Sequence, residues 1–436
     1  MGAGMSSTSL IRRLLERSEE LDLQVKVTDA NIQLAQSKVK GYSRGEAVHF
    51  DALDSDARRP FLEAADLVVS MLPARFHHII IEDCIELGKN IITPSYVSEE
   101  IKALEPRIKD AGILVLKEIG LDPGIDHMSA MMMVDDIKAK GGVMKGFESF
   151  TGGLIAPESD NNPWNYKFTW NPRNVVLAGQ GGAARFVQEG KYKYIPYNRL
   201  FTRLRPIEIE GYGQFEGYAN RDCLSYKETY SMQDVPTLYR GTLRRKGFCE
   251  SWNVFVQMGL TDDTYPVDDL ENQTWRTFMN SFLSYDQEIP LEKKLRTQIP
   301  MSDEVFEKIK WLGFFDDVNI GMKEGTPAKV LQRKLEQKLS LEEGDKDMIV
   351  MWHRFNYEVD GIEHEMNASM VVLGDENGET AMSKTVGLPV AIACELILQG
   401  EITKKGLCIP VEADIYDPVM RELKKCGIEF KEKQLF

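Results

Sequence analysis

The residues nearest the start of the chain are the first that could do chemistry. Gly2-Ala3-Gly4-Met5-Ser6-Ser7 has the form of a G-x-G-x-x-G/A loop, with Ser7 at the third glycine position. Small residues there let the backbone approach a pyrophosphate at a helix N-terminus, so Gly2, Gly4, Met5 and Ser6 are candidate phosphate contacts of a dinucleotide. Asp29 stands 22 residues beyond Ser7, close to the ~20 at which an acidic residue accepts from the adenosine ribose 2′-hydroxyl. A carboxylate there repels a 2′-phosphate, which favours NAD, with NADP the alternative. Ser70, Leu72 and Pro73 end a strand-like run and are expected beside the nicotinamide ribose.

Acid–base candidates follow. Asp122 lies in a Leu-Asp-Pro-Gly turn pinned by Pro123 and freed by Gly124; held this way it acts as a base, orients a water, or only caps the next helix. Asp126 and His127 stand in that helix's first turn, His127 as readily structural as catalytic. Tyr96, after Ser95, follows a strand end, where ligands of open α/β sheets bind. Residues 240–246 carry four basic residues in seven. Arg240 and Arg244, with Arg221 and Asn220, are therefore candidates for carboxylate recognition, since Arg binds carboxylates through paired hydrogen bonds. Lys167 and Arg173 are weaker candidates. No metal site is expected: the six histidines show no H-E-x-x-H spacing, and His77 and His78 are adjacent, which parts their side chains on a helix.

Strand-like runs at 23–28, 47–50, 66–72, 90–95 and 113–118 must position these groups. They alternate with helical spacing, beginning with an amphipathic helix over 8–20. The pattern implies an α/β fold with a Rossmann-like doubly wound parallel sheet over 1–122. The strand that should precede Gly2 is missing, and a misplaced start is expected over a real truncation. A second α/β domain for substrate and dimerisation is expected over 123–261 and 346–379. It opens with a helix of about 15 residues near Ile125 and continues with strands at 143–150 and 206–210. A helical subdomain covers 262–345. Asp360-Gly361 is the strongest hairpin signal. The 380–436 tail, with a helix carrying Pro389 in its first turn, is expected to fold back on the first domain.

Length and composition are those of a globular protein of two to three domains. A net charge of -15 argues against nucleic acid. No apolar run approaches the ~18 residues of a membrane helix, and no signal peptide is evident. Six scattered cysteines without a C-x-x-C pair read as reduced thiols of a cytoplasmic protein.

Several longer strings are more specific. LKEIGLDPGIDH (116–127), TPSYVS (93–98), GGLIAPESDNNPWNYKFTWNPR (152–173), YANRD (218–222) and RGTLRRKGF (240–248) resemble saccharopine dehydrogenases of the glutamate-forming type. The resemblance runs on through GDKDMIVM (344–351), KTVGLP (384–389) and DIYDP (414–418). It implies oxidation of the secondary amine of saccharopine with NAD(P)⁺ and water, giving glutamate and 2-aminoadipate 6-semialdehyde, by a homodimer. It also implies that Ser95, Tyr96, Asp122 and Gly152 lie near the substrate. The chain departs from the family at Phe150-Thr151-Gly152-Gly153, where the family usually reads Tyr-Cys-Gly-Gly. A Thr hydroxyl cannot titrate near neutrality as a tuned thiol can, so Thr151 leaves the substrate open. Rival readings are a related amine/aldehyde reductase, such as carboxynorspermidine dehydrogenase, and a non-catalytic binding protein with a broken dinucleotide site.

Overall fold

β1 (Val25–Asp29), β2 (Gly45–His49), β3 (Leu67–Val69), β4 (Asn90–Ile92) and β5 (Leu114–Leu116) form within the expected strand-like runs or shifted from them by two residues at most. They come from a computed structural model that describes residues 1–178, 181–375 and 378–436. β1 pairs with β2, and β3 with β4 and β4 with β5, all in parallel. Val68, Ile91 and Val115 are buried with Ile80, Ile81 and Cys84 of the helix His77–Leu87. That is the burial on which β-branched runs between crossover helices depend.

The expected gap in this sheet is visible. The facing edges of β1 and β3 border an apolar cavity of about 150 Å³ lined by Leu14, Val25, Val27, Leu67, Val69 and Cys394, among others. Met1 and Gly2 bridge the edges at one end. The Met1 amine donates to Val69 O (2.7 Å) and Gly2 N to Thr28 O (2.8 Å), while Met1 O accepts from Met71 N (2.8 Å). Burial pulls the amine down to about 6, against the opposing charge of Asp29.

The chain divides into two units, Met1–Met144 with Phe355–Phe436, and Lys145–Arg354. The helix Ile125–Ala139 has the expected 15 residues and belongs to the first, where Asp135 accepts from Tyr416 of the helix Ala413–Lys425 (2.7 Å). The second unit holds β6 (Val143–Ile155, from its third residue), β7 (Ala184–Gln188), β8 (Lys191–Ile195), β9 (Arg205–Ile209), β10 (Gly213–Ala219), β11 (Thr237–Arg245) and the start of β12 (Asp347–Val359). Their order is β12-β6-β11-β10-β9, with the β7–β8 hairpin beside β11. β6 and β11 are parallel, β9 to β11 antiparallel. The insertion before β12 is helical, including Trp275–Ser281, Leu291–Gln298, Asp303–Trp311 and Pro327–Leu339.

β12 ends in the first unit and turns into β13 (Ile362–Leu373) at Asp360 and Gly361, with φ of 51° and 80°. Two positive φ values are what a type I′ turn requires. β14 (Gly406–Cys408) then pairs in parallel with β5, and β15 (Lys431–Gln434) antiparallel with β13. Two expectations are corrected between them. The helix Ala381–Leu398 starts earlier than read, because Thr380 accepts from Ser383 N, so Pro389 lies inside it and removes one backbone bond. By length and composition this helix could cross a membrane, contrary to the reading that no run approaches that length; 72% of it is buried within the protein. It packs on the helix Thr8–Glu16, where a Cβ on Gly387 would stand 2.8 Å from Leu10 N. Its Glu395 accepts from Arg13 (2.6 Å) and Arg17.

Candidate active site

The glycine loop has the form its sequence suggests. Gly2 has φ of 91°, and a Cβ there would meet Met71 O at 2.9 Å. Gly4 is exposed and extended, with nothing within 4 Å of where its Cβ would be, so a ligand can approach its backbone. Met5, Ser6 and Ser7 form one 3₁₀ turn leading into the helix Thr8–Glu16, and Ser7 closes the turn by donating N–H (3.2 Å) and hydroxyl (2.8 Å) to Gly4 O. Open backbone at a helix N-terminus fits a dinucleotide pyrophosphate. Asp29 Oδ2 accepts from Ala3 N and its Oδ1 from Asn31 N, both at 2.8 Å. The carboxylate thus ties the loop to the end of β1.

At the carboxyl ends of β3, β4 and β5 the chain gathers polar groups. Leu72 and Pro73 follow Ser70 next to the glycine loop, through Met71. Ser70 itself is buried, with Oγ 2.9 Å from His77 Nδ1. His77 Nε2 is 2.8 Å from Ser95 Oγ and 3.1 Å from Thr93 Oγ1. Burial, aided by the charge of Lys117, pushes this imidazole down to about 3, so it is neutral. Tyr96 is 47% exposed and donates to Asp122 Oδ1 at 2.8 Å, so two sequence candidates 26 residues apart become one pair. Its neighbours are fixed from behind: Glu118 Oε1 accepts from Val97 N (2.8 Å) and Glu118 N donates to Ser95 O (3.2 Å). The other oxygen, Glu118 Oε2, meets His127 Nε2 at 2.8 Å, which makes His127 structural. The turn of Asp122 demands Gly124, whose φ is 145° and whose Cβ would stand 2.1 Å from Gly120 O. Asp126 accepts from Gly124 N at 2.6 Å.

In the second unit the register puts Ser149 and Thr151 of β6 on one sheet face with Arg240, Thr242 and Arg244 of β11 and Tyr218 of β10. Gly152 faces the other way, because a Cβ there would meet Leu243 O at 2.7 Å. Arg244 is buried among aromatic rings, its guanidinium carbon 5.2 Å from the centroid of Tyr166 and 5.3 Å from that of Phe248. Arg244 Nε, the Tyr166 hydroxyl and the Thr151 hydroxyl are buried without a hydrogen-bond partner among the described residues. Buried polar atoms left this way call for a partner, which water or a polar ligand can supply. Arg240 is buried over the Tyr226 ring at 3.7 Å. Asn220 Oδ1 accepts from Thr242 (3.0 Å), whereas Arg221 is exposed and donates to Leu177 O (2.7 Å), off the sheet face. Lys167 and Arg173 are occupied by Asp345 and Asp263.

The sequence reading missed His77, Lys117, Glu118 and Tyr166. Lys117 is fully buried, and its Nζ has no hydrogen-bond partner among the described residues; burial pulls it down to about 7. The nearest signal was position, since Lys117 and Glu118 directly follow a strand.

Residues 1–116 match the model of the saccharopine dehydrogenase NADP binding domain, and 120–428 that of the saccharopine dehydrogenase C-terminal domain. The chain is 34% identical over 441 residues to a saccharopine dehydrogenase [NADP(+), L-glutamate-forming] of Pyricularia oryzae, covering 98% of each chain. It is 36% identical over 382 residues to the mitochondrial alpha-aminoadipic semialdehyde synthase of Mus musculus, covering 85% of this chain and 40% of that one. The structure of apo saccharopine dehydrogenase (L-Glu forming) from Saccharomyces cerevisiae superposes with a TM-score of 0.91 at 33% identity, over 100% of this chain and 98% of that one. With both domain models matched in order and relatives similar over almost its whole length, the chain belongs to the saccharopine dehydrogenase family.

Proposed function

We propose that this chain oxidises saccharopine at its secondary amine with NADP⁺ and water, giving glutamate and 2-aminoadipate 6-semialdehyde. The Tyr96–Asp122 hydrogen bond at the carboxyl edge of the parallel sheet is the observation that carries this reading. Bound NADP⁺ supplies a hydride acceptor. Asp122 takes the proton of the protonated amine and passes it to solvent, so that a neutral nitrogen can push hydride from the adjacent carbon and become an iminium. Asp122 then accepts a proton from the water that adds to the iminium carbon and returns it to the nitrogen; the C–N bond breaks, glutamate leaves as the amine, and the hydroxyl loses its proton to give the aldehyde. The Tyr96 hydroxyl, donating to Asp122 Oδ1, holds that carboxylate in one orientation between the two steps.

Within Lys145–Arg354, Arg244 offers one carboxylate of such a substrate a buried, aromatic-lined guanidinium whose Nε is available. Thr151 contributes a hydrogen-bonding hydroxyl in place of a titratable thiol. NADP is preferred over the NAD expected from Asp29 because the matched domain model and the names of the similar relatives carry it. The test is NAD(P)H absorbance on mixing the protein with saccharopine and each oxidised cofactor. Turnover with a higher kcat/KM for NADP⁺ supports the reading; no turnover with either sinks it.

A further inference from the structure

We propose that His77 is a positioning residue: through the two nitrogens of one ring it holds Ser70, at the end of β3, and Ser95, at the end of β4. It thereby couples cofactor binding to the placement of Tyr96. What is being positioned rests on the saccharopine-oxidising reading above.

The two ring nitrogens have different nearest partners, Ser70 Oγ at 2.9 Å from Nδ1 and Ser95 Oγ at 2.8 Å from Nε2, with Thr93 Oγ1 also 3.1 Å from Nε2. A neutral imidazole offers one donor and one acceptor. One ring thus links the hydroxyl at the end of β3 to those at the end of β4. The ring cannot drift, because His77 is the first residue of a helix anchored by fully buried Ile80, Ile81 and Cys84. Both serines are fixed by backbone as well: Ser70 N donates to Ile92 O (2.9 Å), and Ser95 O accepts from Glu118 N. Ser70 opens the segment through Met71 that abuts the glycine loop. Ser95 precedes Tyr96, and Val97 beyond it is held by Glu118. His77 is 0% exposed, so it acts through these neighbours and does not touch substrate.

Three substitutions separate the two ends. His77→Asn keeps an amide near the place of Nδ1, His77→Gln keeps one near the place of Nε2, and His77→Leu keeps neither. Removing one partner leaves a buried hydroxyl unsatisfied, so about a tenfold effect is expected at each end. His77→Asn should bind NADPH within about twofold of wild type, read by cofactor fluorescence without substrate, while kcat/KM for saccharopine falls about tenfold. His77→Gln should show the reverse split, and His77→Leu both losses. Ser70→Ala and Ser95→Ala supply the same split from the partner side should a ring variant fail to fold. Equal losses at both ends in Asn and Gln, matched by Ile81→Val at a similar drop in Tm, would reduce His77 to a packing residue and overturn the proposal. Wild-type values in His77→Leu would do so as well. If the wild-type chain does not turn over saccharopine, the function reading fails separately, and the NADPH titration still judges the Ser70 half.

Discussion

Asp122→Asn keeps the shape of the turn and removes the base. The expected result is a kcat lower by about 10²–10⁴ with little change in KM, read by steady-state kinetics with saccharopine. Tyr96→Phe deletes the 2.8 Å hydrogen bond to Asp122 and should cost about tenfold in kcat. Arg244→Lys keeps the charge but loses the flat guanidinium among Tyr166, Tyr218 and Phe248, so KM for saccharopine should rise at least about tenfold. Asp122 and Tyr96 were legible because each sits beside a turn or strand end with a motif around it. His77 was not. Its partners lie 7 and 18 residues away, and no spacing reveals that the ends of β3 and β4 meet over one ring. Nor does a spacing reveal that Ala3 N and Asn31 N donate to the oxygens of Asp29.

For the elements, β3, β4 and β5 were readable because each is a short run rich in Leu, Val or Ile, at least partly buried between crossover helices. The start of the helix Ala381–Leu398 was not, since Pro389 drew attention away from the true cap at Thr380. The β10 and β11 strands carry arginines, tyrosines and glycines, whose alternation makes sense only when Phe150 fills the space over Gly217 and Gly241. One prediction belongs here. Gly2→Ala puts a Cβ 2.9 Å from Met71 O at a positive φ and should weaken NADPH binding and lower Tm, both measurable on the purified protein.

Across the whole molecule, pH should reveal the lysine beneath the site. Lys117 titrates at about 7 when folded, lowered from 10.5 by burial and partly offset by Glu118. Between those values the unfolded chain binds the extra proton, so stability rises with pH over that window, and the full penalty is present below about 7. Lys117→Met should therefore raise Tm at pH 7, with the gain fading towards pH 10; a constant gain across that range would mean burial is not the cause.

The insertion of one unit within the other also sets a schedule. One face of the first helix packs on Val27 and Ala35, but the other waits for Ala381–Leu398, and β5 for its outer neighbour β14. Synthesis from Lys145 to Ala381, about 240 residues, takes roughly 10–50 s at ~5–20 residues per second. Throughout that interval the nascent nucleotide-binding half has an apolar helix face and an open strand edge, while residues 145–354 are already free to fold. Such a chain depends on chaperones more than its size suggests, and a stop codon anywhere before the last sixty residues damages the part made first.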